Sequence, residues 1–386
     1  MPLAADASSW VLVSSGELSG DRWIAPVVEA LRSEAPKLRF FGAGGPESAA
    51  AGVELRHRVE RLAVAGLTEA LGGFGAAARL VADLALEAAR RRPVLALLVD
   101  YPGAHLRLAR ALKLLGVPVL YYVAPQRWAW LGFRARPLRR LVDRLAVILP
   151  FEEAWFRGRG VPAVFVGHPL RDLFRQEPRE AARRSLGLDA RPALALLPGS
   201  REGEVLRHLP ALRATATALG ASVQSFVVSP GGAHRALCER LAPELPRAES
   251  AAAFGAADAA ICAAGTATLE LALAGVPTAV VYRVSRTTHA VARRLVKVPY
   301  LALPNLLLDE ELCPELLQEE VSPERLVREM RRLLEPASAE RARRGAERVA
   351  RCLGPPGVAQ RVAHLARELF RAPTEGSPCA RRARRL

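Results

Sequence analysis

Short apolar runs alternate with amphipathic stretches along most of the chain. WVLVSS (Trp10–Ser15) and VLALLVD (Val94–Asp100) are continuously hydrophobic, as expected of strands that are buried on both faces. Between such runs, stretches such as HLRLARALKLLG place apolar residues three and four positions apart, which is the spacing of an amphipathic helix. Strands that alternate with helices in this way predict an α/β fold with parallel, doubly wound sheets.

The predicted strands fall into two sets. RFFGAGG, VPVLYYVAP, RLAVILP and AVFVGHP complete the first set, and ALALLPGS, VQSFVVSP, AAICAAGT and TAVVYRV form the second. We predict a Rossmann-like domain over residues 1–175, a second over 176–350, a helix over 351–372 that returns to the first domain, and a basic, disordered tail over 373–386. Two such domains that face a cleft would bind ligands at the carboxyl ends of their strands.

Composition adds a strong positive charge. The 386 residues carry a formal net charge of +16, mostly from arginine, so the candidate partners are nucleic acid, anionic lipid and phosphorylated substrates. An arginine-rich genomic bias is the alternative source of this charge. No apolar run reaches the roughly 18–20 residues of a membrane span, and no signal peptide is recognisable, so a cytoplasmic location is expected. The five cysteines lack metal-ligand spacing, and we expect neither a structural metal nor a cofactor.

Three turns between a strand and a helix carry candidate binding residues, because main-chain N–H groups at such turns can face an anion or a sugar hydroxyl. SSGELSGD offers Gly16, Glu17, Ser19 and Gly20; alternatively, Ser19 or Asp21 simply caps the helix. LLPGSREGEV offers Gly199, Ser200 and Arg201, where helix and guanidinium would stabilise a diphosphate, with a cap and a surface arginine as the alternative. AAGTATLE offers Gly265, Thr266, Thr268 and Glu270. The carboxylate of Glu270 either accepts hydrogen bonds from ribose hydroxyls or complements the helix dipole.

Asp100 is the candidate general base. It ends an apolar strand and is followed by Tyr101, Pro102 and Gly103, so its carboxylate lies where ligands bind in such sheets and can take a proton from a hydroxyl nucleophile. The alternative is that Asp100 is the N-cap of the following helix.

An ordered set of motifs resembles the lipid-A-disaccharide synthase family over about residues 10–320. The set includes SGELSGD, VDYPGAHLRLA, YYVAPQRWAW, VGHPL, LLPGSREGEV, AAGTATLE and LPNLL. The resemblance implies an inverting glycosyltransferase with two Rossmann-like domains (GT-B) that joins UDP-2,3-diacylglucosamine to 2,3-diacylglucosamine 1-phosphate and releases UDP. It also implies a peripheral protein at the cytoplasmic face of the inner membrane, with the acceptor in the first domain, the nucleotide in the second, and homodimers in some members. No acid pair is placed for a metal at the diphosphate, so metal independence is expected.

The resemblance assigns roles to single residues. Asp100 matches the aspartate proposed as general base in the family, and Arg201 matches the arginine near the diphosphate. The residues that match the family's nucleotide loop are Gly265, Thr266, Thr268 and Glu270. Asn305 and Gln318 match polar residues associated with the UDP site. The family's DAPDFN is DYPGAH here, so Gly103 replaces an acid and His105 an asparagine. We expect His105 on the surface of its helix, with assistance to Asp100 as the alternative.

Two segments are candidates for contact with acyl chains or the membrane. Residues 122–141 interleave aromatic and basic side chains, and we assign the acceptor or membrane-facing role to Trp128, Trp130, Arg134, Arg136, Arg139 and Arg140. The apolar segment 62–84 is either an acyl-chain contact or an ordinary core helix.

Three competing functions remain. The chain could be another UDP-sugar GT-B transferase with a lipid acceptor, a basic nucleic-acid-binding protein, or an inactive lipid-binding homologue. Only residues 122–141 have the composition of a nucleic-acid site, and that function would leave the strand-end turns unexplained, so no nucleic-acid partner is expected. The retention of Asp100, Arg201 and Glu270 argues against an inactive homologue.

Overall fold

The computed structural model of this chain describes residues 9–59, 72–125, 136–229, 233–249, 251–285 and 298–371. The chain divides into two compact units. The first contains the residues up to Asp172 and those from Gly354 onward, and the second contains Leu173–Leu353. Each unit is built on a parallel sheet flanked by helices, which confirms the predicted α/β class.

The first unit holds a seven-stranded sheet with the strand order β3-β2-β1-β4-β5-β6-β7, and every adjacent pair is parallel. Its strands are β1 (Trp10–Ser15), β2 (Arg39–Gly44), β3 (Val53–Arg58), β4 (Leu95–Val99), β5 (Val119–Tyr122), β6 (Arg144–Val147) and β7 (Ala163–Phe165). Its helices are α1 (Leu18–Glu34), α2 (Pro46–Ala50), α3 (Gly72–Arg91), α4 (Pro102–Leu114), α5 (Arg136–Leu141), α6 (Pro150–Arg157) and α7 (Leu170–Leu173), which ends at the boundary between the units.

The second unit holds a six-stranded parallel sheet with the order β10-β9-β8-β11-β12-β13. Its strands are β8 (Ala193–Leu197), β9 (Gln224–Val228), β10 (Arg247–Ala248), β11 (Ala259–Ala263), β12 (Thr278–Tyr282) and β13 (Glu315–Leu317). Its helices are α8 (Arg179–Ser185), α9 (Glu202–Leu219), α10 (Ala233–Leu241), α11 (Ala267–Leu273), α12 (Leu303–Leu308), α13 (Pro323–Leu333) and α14 (Pro336–Cys352).

The last helix, α15 (Val358–Arg371), belongs to the first unit. Asp172 holds its start, because the carboxylate accepts hydrogen bonds from the N–H groups of Gly357, Val358 and Ala359 at 2.6, 2.7 and 3.2 Å. Further along, Arg367 pairs with Glu34 at the end of α1.

The continuous hydrophobicity of the central strands has a direct structural cause. All five residues of β4 are fully buried, because helices cover both faces of the sheet. The strand β3 was not predicted, since its sequence VELRHR alternates between sheltered and exposed positions at the sheet edge. The two- and three-residue strands β10 and β13 are too short to show a hydrophobic pattern.

Strand order reverses direction once in each sheet. In the first unit this happens between β1 and β4, and in the second between β8 and β11. Loops that leave neighbouring strands in opposite directions at such a switch point open a crevice at the carboxyl ends of the strands. The predicted binding turns therefore lie at the two switch points, with Gly16 and Asp100 at the first and Gly199 and Gly265 at the second.

Candidate active site

At the first switch point, the turn after β1 lies beside Asp100. Ser15 at the end of β1 pairs in register with Val99 at the end of β4. A Cβ added to Gly16 would lie only 2.1 Å from Cγ of Tyr101, so no other residue fits at this position without a shift of the ring. Glycine therefore allows Tyr101 to pack across the turn.

The remaining residues of this turn begin helix α1. Glu17 and Ser19 are exposed and Gly20 is buried. Glu17 occupies the N-cap position, and no side chain caps the helix, so the alternative that Ser19 or Asp21 caps α1 is wrong. Asp21 caps α2 instead: its carboxylate accepts hydrogen bonds from the N–H groups of Gly45, Glu47 and Ser48 at 2.7, 3.0 and 3.1 Å.

Asp100 has an unusual backbone conformation. Its φ is +48° and that of Tyr101 is +51°, so two consecutive residues with side chains occupy the left-handed region. Such residues cost about 1–2 kcal/mol each. The N-cap of α4 is Tyr101, without a side-chain cap, so the alternative that Asp100 is the N-cap is wrong. Asp100 remains partly exposed.

His105 lies beneath Asp100 and is fully buried, so its predicted position on the helix surface is wrong. Its Nδ1 lies 2.7 Å from the carbonyl oxygen of Asp100, and its Nε2 lies 2.9 Å from Oγ of Ser14. Burial lowers the pKa of His105 to about 4, and the ring is neutral at physiological pH. The helical spacing of His105 with Leu108 and Leu112 is the sequence signal that would have placed it on the buried face.

At the second switch point, β8 ends in a tight turn. Gly199 has φ +121°, a conformation that favours glycine, and an added Cβ would lie 2.4 Å from Oε2 of Glu204. That oxygen accepts hydrogen bonds from the N–H groups of Ser200 and Arg201 at 3.0 and 3.3 Å. The main-chain donors of this turn are therefore bound to an internal carboxylate, a contact that the predicted anion site did not include.

The side chain of Arg201 is 71% exposed and lies 3.2 Å from the other oxygen of Glu204. Ser200 is also exposed. The guanidinium can therefore leave this weak ion pair for a ligand at little cost.

The turn after β11 lies next to that of β8, because Cys262 pairs in register with Leu197. The N–H and hydroxyl of the buried Thr268 both donate to the carbonyl of Gly265, at 3.1 and 2.7 Å, so Thr268 fixes the turn internally. Gly265 is exposed, and Thr266 and Glu270 are partly exposed.

A second buried histidine, which sequence reasoning missed, supports this region. Nδ1 of His208 lies 2.8 Å from the carbonyl oxygen of Pro198, and Nε2 accepts the N–H of Arg283 at 3.0 Å. Burial lowers the pKa of His208. Its spacing with Val205 and Leu212 on the buried face of α9 is the signal that could have found it.

Asn305 and Gln318 make internal hydrogen bonds. The buried amide of Asn305 donates to the carbonyl of Cys313 and to Glu315, and it accepts the N–H groups of Leu312 and Cys313, all at 2.6–2.9 Å. Oε1 of Gln318 accepts the N–H of Val284 at 2.8 Å. Asn305 thus holds the segment that precedes β13, and Gln318 holds the loop that follows β12.

The predicted membrane-facing segment is only partly described. Trp128, Trp130 and Arg134 lie outside the described residues, as does the side chain of Arg136 at the start of α5. In α5, Leu138 is buried, and Arg139 and Arg140 are exposed. In the apolar segment 62–84, the described part belongs to α3, which buries Leu80 and Leu84 in the core, as the alternative of a core helix predicted.

The described ranges contain neither a cluster of metal-ligating side chains nor a membrane-spanning helix. Within them, no group of three or more histidine, cysteine, aspartate or glutamate side chains is arranged to hold a metal ion. None of the helices found there has the length and apolar character needed to cross a membrane.

Comparison with known proteins identifies the family. A family model described as lipid-A-disaccharide synthetase matches residues 11–356. A lipid-A-disaccharide synthase from Myxococcus xanthus is 43% identical over 93% of this chain and 97% of its own length. This chain belongs to the lipid-A-disaccharide synthase family. Another relative of that name, from Geobacter sulfurreducens, is 37% identical over 95% of this chain and 99% of its own.

More distant solved structures share the fold of this family member. The calicheamicin glycosyltransferase CalG4 superposes with a TM-score of 0.56 at 16% identity, over 96% of this chain and 99% of its own. A UDP-GlcNAc 2-epimerase from Neisseria meningitidis superposes with a TM-score of 0.53 at 10% identity, over 94% and 99%. The predicted GT-B class of fold is thereby confirmed.

Proposed function

We propose that this chain is the glycosyltransferase that makes the lipid A disaccharide. It transfers 2,3-diacylglucosamine from its UDP derivative to the 6-hydroxyl of 2,3-diacylglucosamine 1-phosphate, which gives the β-1,6-linked disaccharide 1-phosphate and UDP. The observation that carries this proposal is the position of Asp100, which is partly exposed at a switch point in a chain of this family.

The first unit binds the acceptor in this proposal, and Asp100 is the general base. As the acceptor hydroxyl attacks the anomeric carbon, the carboxylate removes its proton, and attack from the face opposite UDP inverts the configuration. A positioned base contributes typically 10²–10⁴-fold to such a reaction. The exposed Glu17 and Ser19 lie on the adjacent turn and can bind sugar hydroxyls.

The second unit binds UDP, and its switch point stabilises the departing diphosphate. The exposed guanidinium of Arg201 can bind the diphosphate. The N–H groups of Ser200 and Arg201 can also donate to the diphosphate once it displaces the carboxylate of Glu204. A fully preorganised donor is worth about 3 kcal/mol where charge develops. The two N–H groups contribute less than this, because Glu204 must first be displaced from them. Glu270 accepts hydrogen bonds from the ribose hydroxyls, while Asn305 and Gln318 act by holding the surrounding loops.

The protein works at the cytoplasmic face of the inner membrane in this proposal, because its lipid substrates reside in a bilayer. The exposed Arg139 and Arg140 support a peripheral contact with anionic lipid, since basic side chains near such a surface contribute about 1 kcal/mol each. The family resemblance also supports a homodimer.

The decisive experiment supplies purified protein with UDP-2,3-diacylglucosamine and offers two acceptors in separate reactions. One is 2,3-diacylglucosamine 1-phosphate, and the other is the lipid-linked muramyl pentapeptide that a peptidoglycan transferase would use. Mass spectrometry should find the tetraacyl disaccharide 1-phosphate only in the first reaction. Product from the second acceptor alone, or from neither, would refute the proposal.

A further inference from the structure

The left-handed conformation of Asp100 requires support from its surroundings. Residues with side chains remain in such a conformation only where neighbouring groups hold them. The main chain of Asp100 has three such contacts: its N–H donates to the carbonyl of Tyr122 at 3.0 Å, and its carbonyl accepts from the hydroxyl of Tyr121 at 2.5 Å and from His105 at 2.7 Å.

The contacts of His105 define which of its nitrogens carries the proton. A carbonyl oxygen can only accept, so Nδ1 must donate to Asp100. In a neutral ring Nε2 is then an acceptor, and the hydroxyl of Ser14 donates to it at 2.9 Å. The burial that lowers the pKa of His105 maintains this neutral form. The hydrogen bonds thus run in one direction, from Ser14 on β1 through His105 to the carbonyl of Asp100.

We propose that His105 is a positioning residue for the reaction: together with Ser14 it fixes the main chain of Asp100 and so sets the direction of the catalytic carboxylate. This inference rests on the proposed role of Asp100 as the base. A purely packing role is a poor explanation for His105. A buried imidazole needs hydrogen-bond partners for two polar nitrogens, whereas an apolar side chain would fill the same space without that requirement. Nε2 faces Ser14 on β1, and Nδ1 faces the carbonyl of Asp100 directly after β4, so the ring joins the two strands that flank the switch point.

The first test compares substitutions at His105 and Ser14. His105→Leu removes both hydrogen bonds, and we expect kcat to fall about 10–100-fold, because a small displacement of a reacting group costs this much. The KM of both substrates should stay within about twofold, since His105 touches neither. His105→Asn retains one N–H donor and should recover most of the loss, and Ser14→Ala should lie between the two variants.

Asp100→Asn, assayed in parallel, separates this inference from the proposed function. If that variant retains near-normal turnover, Asp100 is not the general base, and the positioning role of His105 is refuted as well. If it is inactive while His105→Leu keeps a kcat within twofold of the wild type, only the positioning role is wrong. A loss in His105→Leu confined to KM would also overturn it.

A spectroscopic test on the intact wild-type protein needs no stable leucine variant. Histidine labelled with ¹⁵N should show for His105 a protonated Nδ1 and an unprotonated Nε2, unchanged between pH 5.5 and 8.5. The resonance is assigned by its loss in His105→Asn. A protonated Nε2, or a titration near pH 6.5, would overturn the proposed direction of hydrogen bonding.

Discussion

The two switch points are held by the same kind of hydrogen bond from a buried histidine, but they differ in the conformational strain of the backbone. At each, a buried histidine on the helix that follows the strand donates from Nδ1 to a main-chain carbonyl at the strand end, which is Asp100 in the first unit and Pro198 in the second. At the first switch point the left-handed residues are Asp100 and Tyr101, whereas in the turn after β8 at the second switch point the positive φ belongs to Gly199.

The difference follows from what each turn presents to its ligand. A turn that offers main-chain N–H groups can use glycine, which adopts positive φ without strain. A turn that offers a carboxylate must carry a side chain at that position, so glycine is excluded. The first unit therefore needs additional hydrogen bonds, and it takes them from Tyr121 and His105. The switch point to which we assign the base is therefore the one where two consecutive residues with side chains, Asp100 and Tyr101, adopt this strained conformation.

The buried, neutral histidine at each switch point predicts that the stability of the folded state falls in acid. The folded chain keeps His105 neutral down to about pH 4, whereas the unfolded chain binds a proton there below about pH 6.5. Protons therefore favour the unfolded state, and stability falls as the pH drops from about 6.5 toward 4. For His105 alone the loss between pH 7.5 and pH 5 is about 2 kcal/mol.

Urea unfolding at a series of pH values measures this effect. His105→Asn and His208→Asn should each flatten the profile between pH 7.5 and 5, and His364→Asn, at an exposed position on α15, is the matched control substitution. Identical slopes in the wild type and in both buried-site variants would show that the histidines are not held neutral.

The second switch point is tested through Arg201. Arg201→Ala should weaken UDP binding about tenfold in isothermal titration calorimetry, since one charge-assisted contact to the diphosphate is lost and the site is exposed. Arg213→Ala is the matched control, because Arg213 is also exposed but lies within α9 and pairs with Glu244 rather than with a residue of the turn. Unchanged affinity in Arg201→Ala would remove this residue from the nucleotide site.

A smaller effect is expected at Glu204, whose carboxylate occupies the donors that a diphosphate would use. Glu204→Gln retains an oxygen for the helix cap but removes the charge that competes with the ligand. The dissociation constant for UDP should fall about two- to fivefold in the same titration, because less repulsion opposes the diphosphate. Weaker binding would instead mean that the carboxylate helps to build the site.

The sequence predicted much of the fold because its central strands are buried on both faces and its helices are amphipathic. The same pattern predicted the locations of Asp100 and Gly199, since Asp100 directly follows the apolar strand β4 and Gly199 lies two residues after β8. The conformation of Asp100 and the contacts of His105 could not be predicted, because the sequence carries no signal for positive φ in a residue with a side chain. The capping of α2 by Asp21 joins positions 24–27 residues apart, and local patterns do not report such pairs.

The role of Asp100 as the general base is tested by the rate of disaccharide formation in Asp100→Asn, with UDP affinity measured on the same preparation. Asparagine preserves the size of the side chain but cannot accept the proton of the attacking hydroxyl. We predict a kcat that is lower by about 10²–10⁴-fold with UDP affinity unchanged, because the nucleotide is assigned to the other unit. If the variant forms the disaccharide at a near wild-type rate, Asp100 is not the general base.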